Sequence, residues 1–107
     1  MFVSDQTASK IFKIDLTASN AVTELATVPT ADLLFMLPNG DLLTGGGSAI
    51  SRVTQTGTVS ALTLVGSPTF EQVRGVAFDA THNLLFVVDH SATVGVNDKL
   101  HIIPFTP

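Results

Sequence analysis

The residues able to do chemistry gather in one stretch, VVDHSATVGVNDKLH at 87–101, which holds Asp89, His90, Asp98 and His101. Carboxylates and imidazoles at this density can ligate a divalent cation or act as an acid/base pair. Asp89 closes the apolar run FVVD at 86–89, and Asp5 closes the similar run FVSD at 2–5. Asp5, Asp89 and His90 are therefore the candidate ligand-binding residues, with Asp89 the candidate metal ligand. The competing expectation is that Asp5 and Asp89 cap turns, their carboxylates accepting from nearby backbone N–H groups. His101 falls in the middle of an expected strand. No catalytic residue is assigned. Ser4, His90 and Asp89 have the residue types of a nucleophilic triad, but the chain has no GxSxG motif to carry the serine. Glu24, Glu71 and Arg74 are not spaced as a pair. The glycines of LLTGGGSAI (42–50) lack both the GxxxxGK[ST] spacing and a following helix, so they do not read as a phosphate cradle. Gly45–Gly47 are instead expected to end a strand where backbones crowd.

The elements that must position these residues are strands. Runs of four to eight apolar and β-branched residues alternate with Gly, Pro, Asn, Asp, Ser and Thr, and no long segment keeps a helical apolar period. Strands are expected at 2–4, 10–15, 22–28, 32–37, 41–44, 50–54, 59–65, 74–79, 84–88 and 100–104. They repeat. LLFMLPNGDLLTGGG (33–47) lies over GVAFDATHNLLFVVD (75–89), with Met36 on Phe78, Leu42 on Leu84 and Gly47 on Asp89, a constant offset of 42. The same step carries Gly47 to Asp5. KIFKID (10–15) then matches AISRVT (49–54) and KLHIIP (99–104), and VTELATV (22–28) matches VSALTLV (59–65). With the strands of one unit called A to D, the chain reads B-C-D (1–30), A-B-C-D (31–66) and A-B-C (67–107). About two and a half four-stranded antiparallel units of this period form one all-β segment of β-propeller blades, a partial propeller or half-ring.

Composition narrows the function classes. Apolar residues are 45% of the 107 and charged residues 13%, which excludes a disordered chain. The net charge is −4, and the five basic residues Lys10, Lys13, Arg52, Arg74 and Lys99 are scattered, so a nucleic-acid partner is not expected. No apolar run is long enough for a membrane helix, and no membrane partner is expected. No signal peptide is visible, and the compartment stays open. Without cysteine there is no disulfide or thiolate site, and without Trp or Tyr a sugar ligand is disfavoured.

At FVSDQTASKIFKID and GVAFDATHNLLFVVD the chain resembles blades of the NHL, SMP-30/gluconolactonase-like and YVTN propeller superfamily. LPNGDLL and FDATHNLL match the A–B turn of those repeats, and SDQTASKIFKID matches the end of B, the loop and C. The resemblance covers nearly the whole chain and implies a six-bladed or similar ring in complete proteins. This chain is then a fragment of a larger propeller, or a half-ring that closes by self-association, a dimer being favoured. Phe2 and Val3 at one end, and Leu100 and Ile102 at the other, are the expected interface residues. The resemblance also implies an alternative, a metal-dependent hydrolase of the lactonase type. Its divalent cation, such as calcium, would sit at the central opening, with Asp89 and by repeat Asp5 matching the family by position. The acid of the family's first strand has no counterpart here. Outside that alternative no cofactor is expected.

Overall fold

The computed structural model describes residues 1–93 and 95–107. Among them are ten strands and no helix. The chain is all-β: three antiparallel meander sheets stand in file, 46 × 32 × 19 Å overall. Sheet 1 holds β1 (Phe2–Asp5), β2 (Lys10–Asp15) and β3 (Ala21–Thr27). Sheet 2 holds β4 (Leu33–Met36), β5 (Leu42–Gly45), β6 (Ile50–Val53) and β7 (Val59–Ala61). Sheet 3 holds β8 (Gln72–Asp79), β9 (Leu84–His90) and β10 (Lys99–Pro104). Neighbours along the chain pair as hairpins, and β1, β4 and β8 lie next to one another from sheet to sheet.

Most strands begin and end within two residues of the expected positions; the main exception is β7. Expected over 59–65, it stops at Ala61. Leu62 still donates its N–H to Ile50, but the chain then turns, with Ser67 N–H closing onto the Leu64 carbonyl at 3.1 Å and Gly66 and Ser67 at positive φ. The turn drops Leu64 into the core between sheets 2 and 3, and burial there outweighs two more ladder bonds on an exposed edge.

Strand pairing refines the repeat. Met36 faces Leu42 across its hairpin, whereas Phe78 faces Leu85. Between these paired residues the β8–β9 hairpin carries one residue more (79–84) than the β4–β5 hairpin (37–41). In the shorter turn Leu37 N–H donates to Asp41, and Gly40 takes the left-handed position at φ 88°. In the longer one Asn83 takes it at φ 53°. The offset is thus 42 along the first strands but 43 along the second, and Asp89 aligns with Gly46, not Gly47. Asp5 pairs with Lys10 as Asp89 pairs with Lys99, so these two aspartates do align.

Alternation sorts each sheet into two faces. On sheet 2, Leu34, Leu42 and Val53 point toward sheet 1, where they pack with Ile11, Ala26, Val28, Phe2 and Leu25. Its other face, with Leu33, Phe35, Leu43 and Ile50, packs on Val73, Val76, Phe78, Leu85, Val87 and Ile103 of sheet 3. Each sheet therefore has a front face, toward lower residue numbers, and a back face, toward higher ones.

Candidate functional site at the connector end

The chemistry-bearing residues meet where the chain passes from sheet 2 into sheet 3. Asp89, at the end of β9 and 4% exposed, turns its carboxylate toward the incoming connector. Its Oδ1 accepts from the backbone N–H groups of Glu71 and Gln72, both at 2.9 Å. Glu71 reaches onward: its Oε2 accepts from Ala92 N–H at 2.7 Å and from Ser91 Oγ at 3.3 Å. Asp98 closes the loop, accepting from Ser91 N–H at 2.9 Å, with its Oδ1 3.2 Å from His90 Nδ1. Each of these carboxylates is occupied in ordering a loop. A buried backbone N–H left without a partner is costly, and a carboxylate that takes two at once is a strong clamp.

His101 stands behind Asp89 on β10. Its ring meets Phe70 edge-on at a centroid distance of 5.0 Å. Its Nε2 is buried, lies 3.7 Å from Asp89 Oδ2 and has no hydrogen-bond partner among the described residues. The sequence counts His101 among the chemistry-bearing residues of 87–101 but reads it as a mid-strand residue, and its approach to Asp89 and Phe70 carries no local signal.

The three aligned positions at the ends of β1, β5 and β9 do different work. Asp5 is exposed, and its Oδ1 accepts from Ala8 N–H at 2.9 Å, capping its own loop. Gly46 has no room for a side chain: a Cβ there would lie 2.6 Å from the Asp32 Cβ. Gly45 is equally constrained, since its Cβ would lie 2.6 Å from the Ala49 carbonyl oxygen. These glycines permit close backbone approach, as the sequence suggests. Asp32 occupies the vacated place, accepts from Ser4 Oγ through its carbonyl at 2.8 Å and pairs with Arg74 at 3.6 Å. Val73 N–H donates to Gly47 at 2.9 Å and ties sheet 3 to sheet 2 at the same end. Asp5 and Asp89 therefore act as backbone caps, Asp5 locally and Asp89 across 17 and 18 residues.

A divalent cation needs several converging oxygen or imidazole donors. Among the described residues no group of three or more His, Asp or Glu side chains converges. Asp89 offers one oxygen without a hydrogen bond, and Asp5 turns into its own loop. This donor set does not fit a resident divalent metal. No known protein family, characterised protein or solved structure matches the chain.

Elsewhere the acidic turns show the usual electrostatics. The His82 ring beside Asp79, at 2.6 Å, and then backbone N–H groups hold the Asp79 carboxyl below its ordinary value. The Thr17 hydroxyl and N–H do the same for Asp15. A hydrogen bond from Lys10 lowers Glu24. None of these three sits at the connector end.

Proposed function

We propose that this chain is a segment of a propeller-type repeat protein that acts as a structural and binding module, completed by further copies of itself or by the rest of a larger parent chain. One observation carries this reading: each sheet is built with two apolar faces, and the two outermost faces of the row are open. Val3 and Val22 are 41% and 61% exposed on the front of sheet 1. Leu100 and Ile102 are 59% and 56% exposed on the back of sheet 3. Contiguous apolar faces of this kind mark interaction surfaces. β1 and β10 are also open sheet edges, which favour pairing with another chain. The connector end, with its ordered loops 62–71 and 91–93, is the surface such an assembly would present to a ligand.

The interface residues sort by face. Val3, Leu100 and Ile102 lie on open faces. Phe2 is turned the other way and packs with Leu34 and Leu42 between sheets 1 and 2. Adjacent strand residues point to opposite faces, so Phe2 and Val3 cannot serve one surface.

The hydrolase alternative gains no support from the carboxylate geometry. Calcium titration followed by thermal melting addresses it directly: a stabilisation lost on Asp89→Ala would revive it. The module reading is tested by mass in solution. Light scattering is expected to give a discrete species heavier than the 11.2 kDa chain. A stable single-chain species at high micromolar concentration would sink self-association.

A further inference from the structure

The self-association reading leaves open which surfaces meet. We propose that the back of sheet 3 docks on the front of sheet 1 of a second copy, head to tail, and that two such contacts close a ring of two chains and six sheets.

The strand registers make the case. Leu100 on β10 pairs with Val88 as Ile50 on β6 pairs with Gly45. Leu100 thus stands in sheet 3 where Ile50 stands in sheet 2, and Phe86 stands where Leu43 stands. Leu43 and Ile50 are 0% and 4% exposed, because sheet 3 covers them. Phe86, Val88, Leu100 and Ile102 form the same back face one sheet further on, with no sheet over it.

The front faces align in the same way. Val3 faces Phe12 on β2 as Val87 faces His101 on β10. Ile14 likewise occupies the place of Ile103. Val87 and Ile103 are the residues of sheet 3 that seal against Leu43 and Ile50. Val3, Phe12, Ile14 and Val22 therefore present a front face in register with the one that sheet 3 seats on sheet 2, with the Lys10–Glu24 ion pair beside it. The second copy's front face is the surface this repeat has already matched to the chain's open back face. A same-face pairing, back on back or front on front, has no counterpart within the molecule. Head-to-tail contacts build rings where the rotation closes, and two three-sheet chains place six sheets about one axis.

This inference rests on self-association, and the test separates the two. Leu100→Lys spoils the back face and Val3→Asp the front face; both side chains are exposed in the single chain, and circular dichroism checks that each variant folds. The wild type is expected at twice 11.2 kDa by light scattering. Each variant alone is expected at the single-chain mass, because every contact in its pair would contain one spoiled face. An equimolar mixture is expected to return to twice the chain mass, with one native contact and one Lys–Asp contact. Ile102→Lys is expected to behave as Leu100→Lys does. If either single variant stays dimeric, or if the mixture stays monomeric, head-to-tail docking is wrong although self-association stands. A ladder of larger masses overturns closure at two chains. A monomeric wild type overturns both readings.

Discussion

The two junctions inside the row are built from the same positions and filled differently. Between sheets 2 and 3, Leu37, Leu43, Ile50 and Leu64 meet Val73, Leu85, Val87, Ile103 and Phe105. Phe78 and Phe105 add an edge-to-face pair at 5.9 Å. Between sheets 1 and 2 the buried set is Ile11, Ala26, Val28, Ala31, Leu42 and Val53. Ala26 pairs beside Ile11 where Leu62 bonds beside Ile50, so a small residue stands in place of a large one. Small residues let the sheets approach closely: a Cβ on Gly57 would collide with the Leu25 carbonyl. Close approach comes with less apolar area removed from water, and stabilisation follows that area. The difference teaches that one sheet geometry can hold a firm junction and a light one, and that sheet 1 is the part most readily released.

The largest expected effect breaks this comparison at its core. Leu85→Ala, at the thick junction, is expected to lower global stability by about 2–5 kcal/mol, the range for a buried Leu whose site cannot collapse. Ile11→Ala is expected to lower it less and to act locally. Amide exchange should quicken across β1–β3 while β8 and β9 keep their protection. Equal losses by urea denaturation, with uniform exchange, would remove the distinction between the junctions.

A second, smaller contrast lies between aligned aspartates. Asp89→Ala strips two backbone N–H groups at a largely buried site of their acceptor, and about 1–3 kcal/mol is expected to go with it. Asp5→Ala frees Ala8 N–H at an exposed loop, where water replaces the carboxylate, so about 0.5 kcal/mol or less is expected. Asp89→Asn keeps an acceptor oxygen and should recover part of the loss. If Asp5→Ala proved the more damaging of the two, Asp89 would not be the clamp of the connector.

How much of this was legible in sequence differs between fold and site. The strands were legible because apolar alternation and turn residues act locally, and the repeat because each unit buries the same positions. The one-residue slip between units was not, since DATHN and PNGD make turns of similar chemistry and only the pairing of Phe78 with Leu85 separates them. The role of Asp89 was half legible. Its type announced a cap, but its partners Glu71 and Gln72 lie 18 and 17 residues away at the entry to β8, and no local spacing encodes them. The division of Phe2 from Val3 was not legible for a simpler reason: both are apolar, and only packing decides which of two adjacent residues turns toward sheet 2.

The smallest expected effect concerns acid. Three carboxyls titrate below their ordinary values: Asp15, Glu24 and Asp79. Asp15 and Glu24 belong to sheet 1, and Asp79 to the turn of sheet 3. A carboxyl whose folded value is depressed contributes stability that is fully present above its unfolded value, 3.8 for Asp and 4.5 for Glu. That contribution fades as pH falls through the lower, folded value. Asp15 and Glu24 are exposed and Asp79 is partly so, so each contribution is small and screened by salt. Two of the three nevertheless fall on the lightly held sheet. Lowering the pH from about 5 to about 2 is expected to loosen sheet 1 before sheets 2 and 3. The measurement is residue-resolved chemical-shift titration with amide exchange at each pH. Lys10→Met should remove the share due to Glu24, because the 2.6 Å hydrogen bond from Lys10 is what holds that carboxyl down. If sheet 3 loosens first, junction packing and acid sensitivity are unconnected, and the light junction is not the molecule's weak point in acid.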